Sequence, residues 1–474
     1  MKYEKVIGLE VHVELLTQTK VFCSCKSEFG GEPNTRICEI CTGFPGTLPS
    51  LNKKVVDFAV RTGLALNCEI TRLTRFDRKN YFYPDLPKAY QISQLYLPVG
   101  RNGYLEITAD NVSKKIGIHE LHIEEDAGKL IHTDGMTLID YNRCGVPLLE
   151  IVTEPDFRSA DEVIAFLTAL RRTLTFLGVS DCKMQEGSMR ADVNLSLRES
   201  GETRLGTRTE MKNLNSLHDI SDAIESESRR QSALLDSGGK VVRQTRGWDA
   251  DRKQSFALRS KEQANDYRYF PEPDIPPLVI TDAQLELCRS ELPELPSARK
   301  QRYSADLGLS EYDADLLTDN VYISDFFEAV LSNGVSPKEA ANWILGELLR
   351  LLKNSRTDAK DNPLEAQALS QVIKAVNSGR ITRSTGKLVL EKAFGEGIDV
   401  SEYINGNSLV LIDDPSQITA AARKVIEENP KAVSDYGNGK HSAFGYLIGQ
   451  VMKETGGRAA VEEVKKALGT LLEP

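Results

Sequence analysis

The chain has 474 residues, of which 59 are Lys or Arg and 69 are Asp or Glu, so its formal net charge is −10. With 40% apolar and 27% charged residues it has the composition of a globular protein of roughly two to four domains, which excludes wholesale disorder and collagen-like repetition. No apolar run approaches the roughly 18 residues of a membrane span, and the N-terminus shows no apolar signal region, so we expect a cytoplasmic protein. The acidic balance argues against non-specific coating of nucleic acid, although a local basic patch is compatible with it.

Residues 1–292 are predicted to form a sheet-rich α+β domain. Segments 6–16 and 190–198 alternate apolar and polar residues, as strands do when one face is buried. Helical periodicity begins at Asn52, a preferred N-cap residue, and recurs over 160–177 and 216–235. Single helices between half-polar strands predict an antiparallel or mixed sheet with one open polar face.

A proline-punctuated connection ends this domain, and the sequence beyond it is helical. Residues 293–405 are predicted to form an all-α helical domain, and residues 406–474 a small all-α tail domain. The predicted fold class is therefore α+β, with a sheet-rich domain that has an open polar face, followed by the helical domain and the tail domain.

Four of the eight cysteines are clustered: Cys23 and Cys25 are followed, after twelve residues, by Cys38 and Cys41. Two close pairs of thiolates suit tetrahedral zinc, and four cysteines would close the coordination shell, so we predict a structural zinc ion. The alternative is a set of four reduced, buried cysteines.

Carboxylates are concentrated on the predicted strands. Glu10, His12 and Glu14 share one face of the first strand, and further acidic runs lie at 119–129, 148–155 and 208–213. If these strands belong to one sheet, their polar faces would converge on a carboxylate-rich surface suited to Mg²⁺. The alternative is an ordinary solvated sheet face. The pattern leaves open whether Glu124 or Glu125 faces inward.

Basic and aromatic residues alternate over 75–91, a composition suited to stacking on a base and neutralising phosphate, or to burial in the core. A flexible basic loop at 436–441 lies in the predicted tail domain. The sequence has no complete phosphate-binding loop and no evident amidase nucleophile, so any ammonia that the protein uses must be made elsewhere.

Several of these segments together resemble the B subunit of the tRNA-dependent amidotransferases. The resemblance lies in 6–15 (VIGLEVHVEL), 76–85 (FDRKNYFYPD), 121–129 (LHIEEDAGK), 266–274 (DYRYFPEPD), 437–440 (GNGK) and 444–453 (FGYLIGQVMK). It implies a cradle domain, a helical domain and a tail domain that grips tRNA. It also implies a carbon–nitrogen ligase that uses ATP and Mg²⁺ to phosphorylate the side-chain carboxylate of Glu-tRNA(Gln), Asp-tRNA(Asn) or both, before ammonia displaces phosphate. The implied partners are a glutaminase A subunit and a small C subunit, in a heterotrimer.

By this resemblance, the catalytic residues are Glu10, His12, Glu125 and Glu150, and the candidate magnesium ligands are these four together with Glu124 and Glu210. Candidates for ATP or phosphate contacts lie on polar strand faces: Arg190, Asp192 and Lys212. Candidates for tRNA contacts are Lys79, Tyr81, Tyr83, Lys440, His441 and Lys453. Two other functions compete with this interpretation, a stand-alone carboxylate–amine ligase that acts on free amino acids and a non-enzymatic, zinc-bearing RNA-binding adaptor.

Overall fold

The computed structural model describes residues 2–260, 267–407, 409–412 and 414–472; Asp266, at the start of one motif above, lies outside them. The chain divides into two compact units, Met1–Pro296 and Ser297–Pro474. The first unit is built on β-sheet and the second is helical. The predicted α+β class is confirmed.

The first unit is organised by a large mixed sheet. The described strands, in chain order, are β1 (Tyr3–Glu14), β2 (Glu69–Ile70), β3 (Leu73–Thr74), β4 (Asp77–Asn80), β5 (Tyr90–Ser93), β6 (Gly100–Ala109), β7 (Val112–Glu125), β8 (Lys129–Thr133), β9 (Met136–Asp140), β10 (Pro147–Thr153), β11 (Met189–Glu199), β12 (Thr209–Lys212), β13 (Gln244–Asp249), β14 (Gln254–Ser260), β15 (Phe270–Pro271) and β16 (Leu278–Val279). Nine of them form one sheet in the order β14-β13-β12-β11-β1-β10-β7-β6-β2, in which only the pairing of β12 with β13 is parallel among the described strands. The others form the small sheets β15-β4-β5, β16-β3 and β8-β9.

Strand β1 lies near the centre of this sheet and explains why one face is apolar and the other polar. Ile7, Leu9 and Val11 are buried in the main core, whereas Glu10 and His12 alternate with them and point to the other face. Helices α1 (Lys53–Ala65), α2 (Ala160–Phe176) and α3 (Leu217–Asp236) pack on the apolar face, against β7, β6 and β11 respectively. The predicted sheet with one polar face is therefore confirmed.

The helices begin where side-chain caps are available. Asn52 accepts a hydrogen bond from the Lys54 N–H at the start of α1, and Ser159 accepts one from Glu162 at the start of α2. Gly178, just beyond α2, has φ +65°, a conformation that favours glycine at a helix end.

A buried carboxylate joins α3 to the strands beneath it. Glu227 of α3 is fully buried and accepts hydrogen bonds from Thr209 Oγ1 at 2.8 Å, Gln231 Nε2 at 2.9 Å and Arg230 Nη2 at 2.6 Å. Because Thr209 belongs to β12, this network attaches the helix to the strand that carries Glu210.

Helix α4 (Asp282–Ser290) completes the first unit. The second unit contains α6 (Glu311–Leu317), α7 (Val321–Ser332), α8 (Pro337–Trp343), a π-helical turn (Ile344–Leu348), α9 (Leu349–Ser355), a 3₁₀ turn (Ala359–Asp361), α10 (Ala366–Asn377), α11 (Arg383–Glu396), α12 (Val400–Gly406), α13 (Pro415–Glu428), α14 (Pro430–Gly437), α15 (Ser442–Glu454) and α16 (Val461–Leu472), while α5 (Pro296–Ala305) crosses the division. Two apolar cores fill the second unit, one formed between Tyr303 and Ile404 and the other between Ile418 and Leu468. In the described part of the chain, no helix is both long and apolar enough to cross a membrane.

Candidate metal-binding and active site

The register of the central strands brings polar residues from distant parts of the sequence into adjacent positions. His12 of β1 is directly opposite Glu150 of β10 on one side and Arg190 of β11 on the other. Glu150 in turn is opposite His122 of β7. A row of two imidazoles, a carboxylate and a guanidinium therefore crosses the polar face of the sheet.

The first group of potential ligands consists of His12, Glu124 and Glu150, whose ligand atoms all lie within 4.8 Å of one another. His12 Nε2 is 3.5 Å from Glu150 Oε2 and 3.9 Å from Glu124 Oε2. Ser93 Oγ donates a hydrogen bond of 2.6 Å to Glu124, which orients this carboxylate from the neighbouring small sheet. Two carboxylates and an imidazole supply the oxygen-rich donor set that Mg²⁺ accepts.

His122 contacts both carboxylates of this group, although the sequence pattern alone did not indicate a role for it. Its Nε2 is 2.8 Å from Glu150 Oε2 and 3.3 Å from Glu124 Oε1. The signal that could have found it is its position, because His122 lies two residues before Glu124 on the same strand and so shares its face.

The electrostatics of this group are those of closely packed opposite charges. Burial alone would lower the pKa of His122, but the Glu150 and Glu124 carboxylates raise it to about 10. Burial would raise the pKa of Glu150, yet His122 and His12 hold it well below its usual range. The pKa of His12 is raised, because the Glu150 and Glu124 carboxylates outweigh the effect of its burial. His122 is therefore cationic at neutral pH, and Glu124 and Glu150 are anionic.

A second group lies beside the first and contains Glu10, Asp192 and Glu210, again with ligand atoms within 4.8 Å of one another. Asn194 donates a hydrogen bond of 2.9 Å to Glu10. Burial, followed by the Glu150 carboxylate, raises the pKa of Glu10. The Lys212 ammonium is 3.0 Å from Glu210 and also pairs with Asp192. Of the residues predicted to contact ATP or phosphate, Asp192 is thus a member of this group and Lys212 pairs with two of its carboxylates.

Glu125, which the resemblance places among the catalytic residues and magnesium ligands, is not part of either group. Adjacent residues of a strand point to opposite faces, and Glu125 lies on the side of Leu121 and Ile123, both of which are in the main core. There its carboxylate accepts a hydrogen bond of 2.9 Å from the Ile92 N–H and pairs with the buried Lys88 ammonium. The geometry places Glu124 with His12 and Glu150 instead.

Arg190 pairs with Asp126, a carboxylate that belongs to neither of the two groups. Its Nη2 donates a hydrogen bond of 2.8 Å to Asp126 Oδ2, and Arg143 Nε is 3.4 Å from the same oxygen. Burial, followed by the Asp126 carboxylate, raises the pKa of Glu14 to about 7. This end of the polar face therefore combines two guanidiniums with two carboxylates.

The candidate tRNA residues of the first unit fall into two environments. Lys79 lies with its ammonium 5.3 Å from the centre of the Tyr267 ring, and Tyr81 packs edge-on to the same ring at 5.9 Å. Burial would lower the pKa of Lys79, but the Glu124 carboxylate raises it, so this lysine adds positive charge beside the first ligand group. Tyr83 is exposed.

The remaining tRNA candidates lie in the second unit. Lys440 and His441 are exposed and immediately precede α15, and the Lys440 ammonium is 3.3 Å from Asp435. Lys453 lies in the last turn of the same helix and is also exposed. All three therefore belong to the surface of the second apolar core.

The four clustered cysteines converge as the sequence spacing indicates. The Sγ atoms of Cys23, Cys25, Cys38 and Cys41 all lie within 4.8 Å of one another. Tetrahedral zinc with bonds of about 2.3 Å separates its sulfur ligands by about 3.8 Å, so only a small contraction is required. The Cys23 thiol, and to a smaller extent the Cys38 N–H, lower the pKa of Cys41 against the effect of its burial. The donor set fits a closed structural zinc site.

Comparisons with known proteins give this architecture a family. Residues 5–286, which include the large sheet, match the family described as the GatB/GatE catalytic domain, so this part of the chain is a catalytic domain of that class. Residues 325–472 match the GatB domain. The chain is 53% identical over 472 residues to the B subunit of the aspartyl/glutamyl-tRNA(Asn/Gln) amidotransferase of Lachnoclostridium phytofermentans, with 99% of each chain covered. It is 51% identical over 478 residues to the corresponding protein of Caldicellulosiruptor bescii, with 100% of each covered. The chain belongs to the family of these amidotransferase B subunits, and the predicted resemblance is confirmed.

Proposed function

We propose that this chain is the tRNA-amidating subunit of an ATP-dependent ligase that acts on Glu-tRNA(Gln), Asp-tRNA(Asn) or both. ATP transfers its terminal phosphoryl group to the side-chain carboxylate of the mischarged amino acid, which yields ADP and an acyl phosphate. Ammonia then attacks the acyl carbon and expels inorganic phosphate, which leaves the amide. The observation that carries this proposal is the His12, Glu124 and Glu150 group in a chain that matches amidotransferase B subunits over its full length.

The first group is proposed to hold Mg²⁺, which would neutralise charge on the phosphates of ATP. Glu124 and Glu150 would supply carboxylate oxygens, and His12 an imidazole nitrogen. His122 and Ser93 hold the two carboxylates in place through hydrogen bonds of 2.8 and 2.6 Å. Such partners of metal ligands fix their orientation before the metal binds.

The second group extends the same surface. Glu10, Asp192 and Glu210 have the donor chemistry for a further divalent cation. When no cation is bound, the Lys212 ammonium would balance part of their negative charge. Arg190 and Lys212 are proposed to contact phosphate. Arg190 pairs with Asp126 and Lys212 pairs with Asp192, so a phosphate that binds either side chain would replace its carboxylate partner.

The cysteine cluster is proposed to hold structural zinc. Four sulfur ligands leave no open coordination position, so the ion would stabilise the segment between Cys23 and Cys41 and take no part in the chemistry. We assign no catalytic role to this segment.

The partners follow from the chemistry that the chain needs. Ammonia is proposed to come from a glutaminase A subunit, with a small C subunit completing a heterotrimer. The exposed Lys440, His441 and Lys453 are proposed to contact the tRNA backbone, where a cation replaces condensed counterions. A cytoplasmic location follows from the tRNA substrate.

Reconstitution tests the proposal. The chain is combined with A and C subunits of demonstrated glutaminase activity, ATP, Mg²⁺, glutamine and either Glu-tRNA(Gln) or Asp-tRNA(Asn), and amidated product is measured by chromatography after deacylation. We expect product from at least one tRNA and none without ATP. No product from either tRNA overturns the proposal, and ATP turnover with free glutamate in place of tRNA supports the stand-alone ligase.

A further inference from the structure

The interior of the first unit contains a lysine whose burial the proposed chemistry does not explain. Lys20 is fully buried, and its side chain lines a cavity of about 100 Å³ together with Cys23, Cys41, Lys88 and Glu125. An ammonium group without water or an opposite charge is costly to bury, so a compensating partner is required.

The nearest partners of this ammonium are sulfur and a carbonyl oxygen. Lys20 Nζ is 3.7 Å from Cys41 Sγ and 3.5 Å from the Tyr141 carbonyl oxygen. Within the described part of the chain, no carboxylate forms an ion pair with it. The side chain of the neighbouring Lys88 is also largely buried, but it pairs with Glu125. The two lysines of this cavity thus differ in the anion that they face.

The cysteine cluster would supply the missing negative charge. Four thiolates around Zn²⁺ carry a net charge of −2, since ligands bind as thiolates and the ion contributes only two positive charges. Cys41 is buried, so solvent does not screen this charge at its sulfur. The backbone also ties Lys20 to the cluster, because its N–H donates a hydrogen bond of 2.9 Å to the Cys25 carbonyl oxygen.

We propose that Lys20 is a positioning residue of the zinc site, whose ammonium donates a hydrogen bond to the Cys41 thiolate and neutralises one of the two excess negative charges. The inference rests on the proposed zinc site. Lys20 would act from outside the four ligands, and Cys41 would be the ligand whose negative charge the buried ammonium stabilises.

The test compares zinc affinity in three full-length variants. Lys20→Met keeps the length and apolar stem of the side chain but removes the charge, and Lys20→Arg keeps the charge. The matched control is Lys26→Met, because Lys26 directly follows Cys25 in the sequence but is exposed, with its ammonium 3.8 Å from Glu28. Zinc content is measured on the purified proteins, and the dissociation constant by competition with a chromogenic chelator.

We expect Lys20→Met to weaken zinc binding by about 10- to 100-fold, the range found when partners of metal ligands are removed. Lys26→Met should change it by less than about twofold, since exposed charges are screened, and Lys20→Arg should retain zinc better than Lys20→Met. Equal affinity in Lys20→Met and the unaltered chain overturns the inference. Absence of zinc from the unaltered chain overturns the proposed zinc site itself. If Lys20→Met does not fold, as judged by circular dichroism, Lys20→Gln replaces it with the same expected loss.

Discussion

Glu124 and Glu125 are adjacent, both are buried, and the structure gives them different partners, so they form a matched pair for testing the proposed magnesium site. Glu124 lies with His12 and Glu150, whereas Glu125 pairs with Lys88 on the other side of the strand. The substitution to Gln removes one negative charge at each position with almost no change in volume. Glu124→Gln should weaken binding of a divalent cation, and Glu125→Gln should not.

The size of the effect follows from the distances within the group. His12 Nε2 and the Glu124 carboxylate are 3.9 Å apart, so a cation among these ligands would lie within about 4 Å of each. At about 4 Å and an effective dielectric constant of about 20, one carboxylate attracts a divalent cation by about 8 kcal/mol. Dehydration offsets most of this attraction, and if about a quarter remains, the loss is about 2 kcal/mol, or about thirtyfold in the dissociation constant.

The assay is a titration of the purified chain with Mn²⁺, which replaces Mg²⁺ and whose free form is measured by electron paramagnetic resonance. We expect a dissociation constant raised about thirtyfold by Glu124→Gln and changed less than about twofold by Glu125→Gln. Because Glu125→Gln breaks a buried ion pair with Lys88, it should instead lower the free energy of unfolding by about 3–5 kcal/mol. A larger loss of Mn²⁺ affinity in Glu125→Gln than in Glu124→Gln would refute the assignment.

Three further predictions concern the α3 network, the zinc site and the tail surface. Glu227→Gln should lower the free energy of unfolding by about 3–5 kcal/mol at pH 7, measured in urea, while Glu225→Gln at a half-exposed ion pair changes it by less than about 1 kcal/mol. Burial would raise the pKa of Glu227, but Arg230 and its other hydrogen-bond donors lower it. The stabilisation by ionised Glu227 is therefore present above the unfolded pKa of about 4.3 and is lost as the pH falls through the lower folded pKa. The difference in free energy of unfolding between the unaltered chain and Glu227→Gln should shrink in acid. A difference that stays constant with pH would contradict a lowered pKa of Glu227. The chain with free zinc at a few hundred times the dissociation constant should have a free energy of unfolding about 3 kcal/mol higher than the chain from which a zinc-selective chelator has removed the metal. Re-addition of zinc should restore the difference. If the chelator leaves the melting temperature of a zinc-containing preparation unchanged, the ion is not structural. Lys440→Ala should weaken tRNA binding and reduce the slope of log affinity against log salt concentration by about 1. Lys392→Ala in α11 is the control and should leave the slope unchanged. Equal slopes in the two variants would exclude Lys440 from the tRNA contact.

Much of the fold could be predicted because its signals are local. The alternation over 6–16 predicts a strand with one polar face, and the structure places this strand at Tyr3–Glu14. Asn52 and Ser159 begin their helices because their side chains bond to N–H groups two or three residues ahead. The spacing of the cysteines is equally local, since each pair lies within a few residues.

The composition of the candidate site could be predicted only in part. Alternation along β7 places Glu124 and His122 on one face and Glu125 on the other, but it does not say which residues of other strands they meet. That depends on the register of β7 against β10 and of β10 against β1, which aligns His122, Glu150 and His12.

The family, the fold class, the polar face of the sheet and the cysteine cluster were thus all predictable from the order of residues along the chain. Three contacts required the folded molecule: His122 joins Glu124 and Glu150, Glu125 pairs with Lys88, and Lys20 is buried against Cys41. The difference arises from separation along the chain. Caps, alternation and close cysteine pairs involve neighbouring residues, whereas most of these contacts join segments about 20 to 40 residues apart and exist only once the strands and loops have packed together.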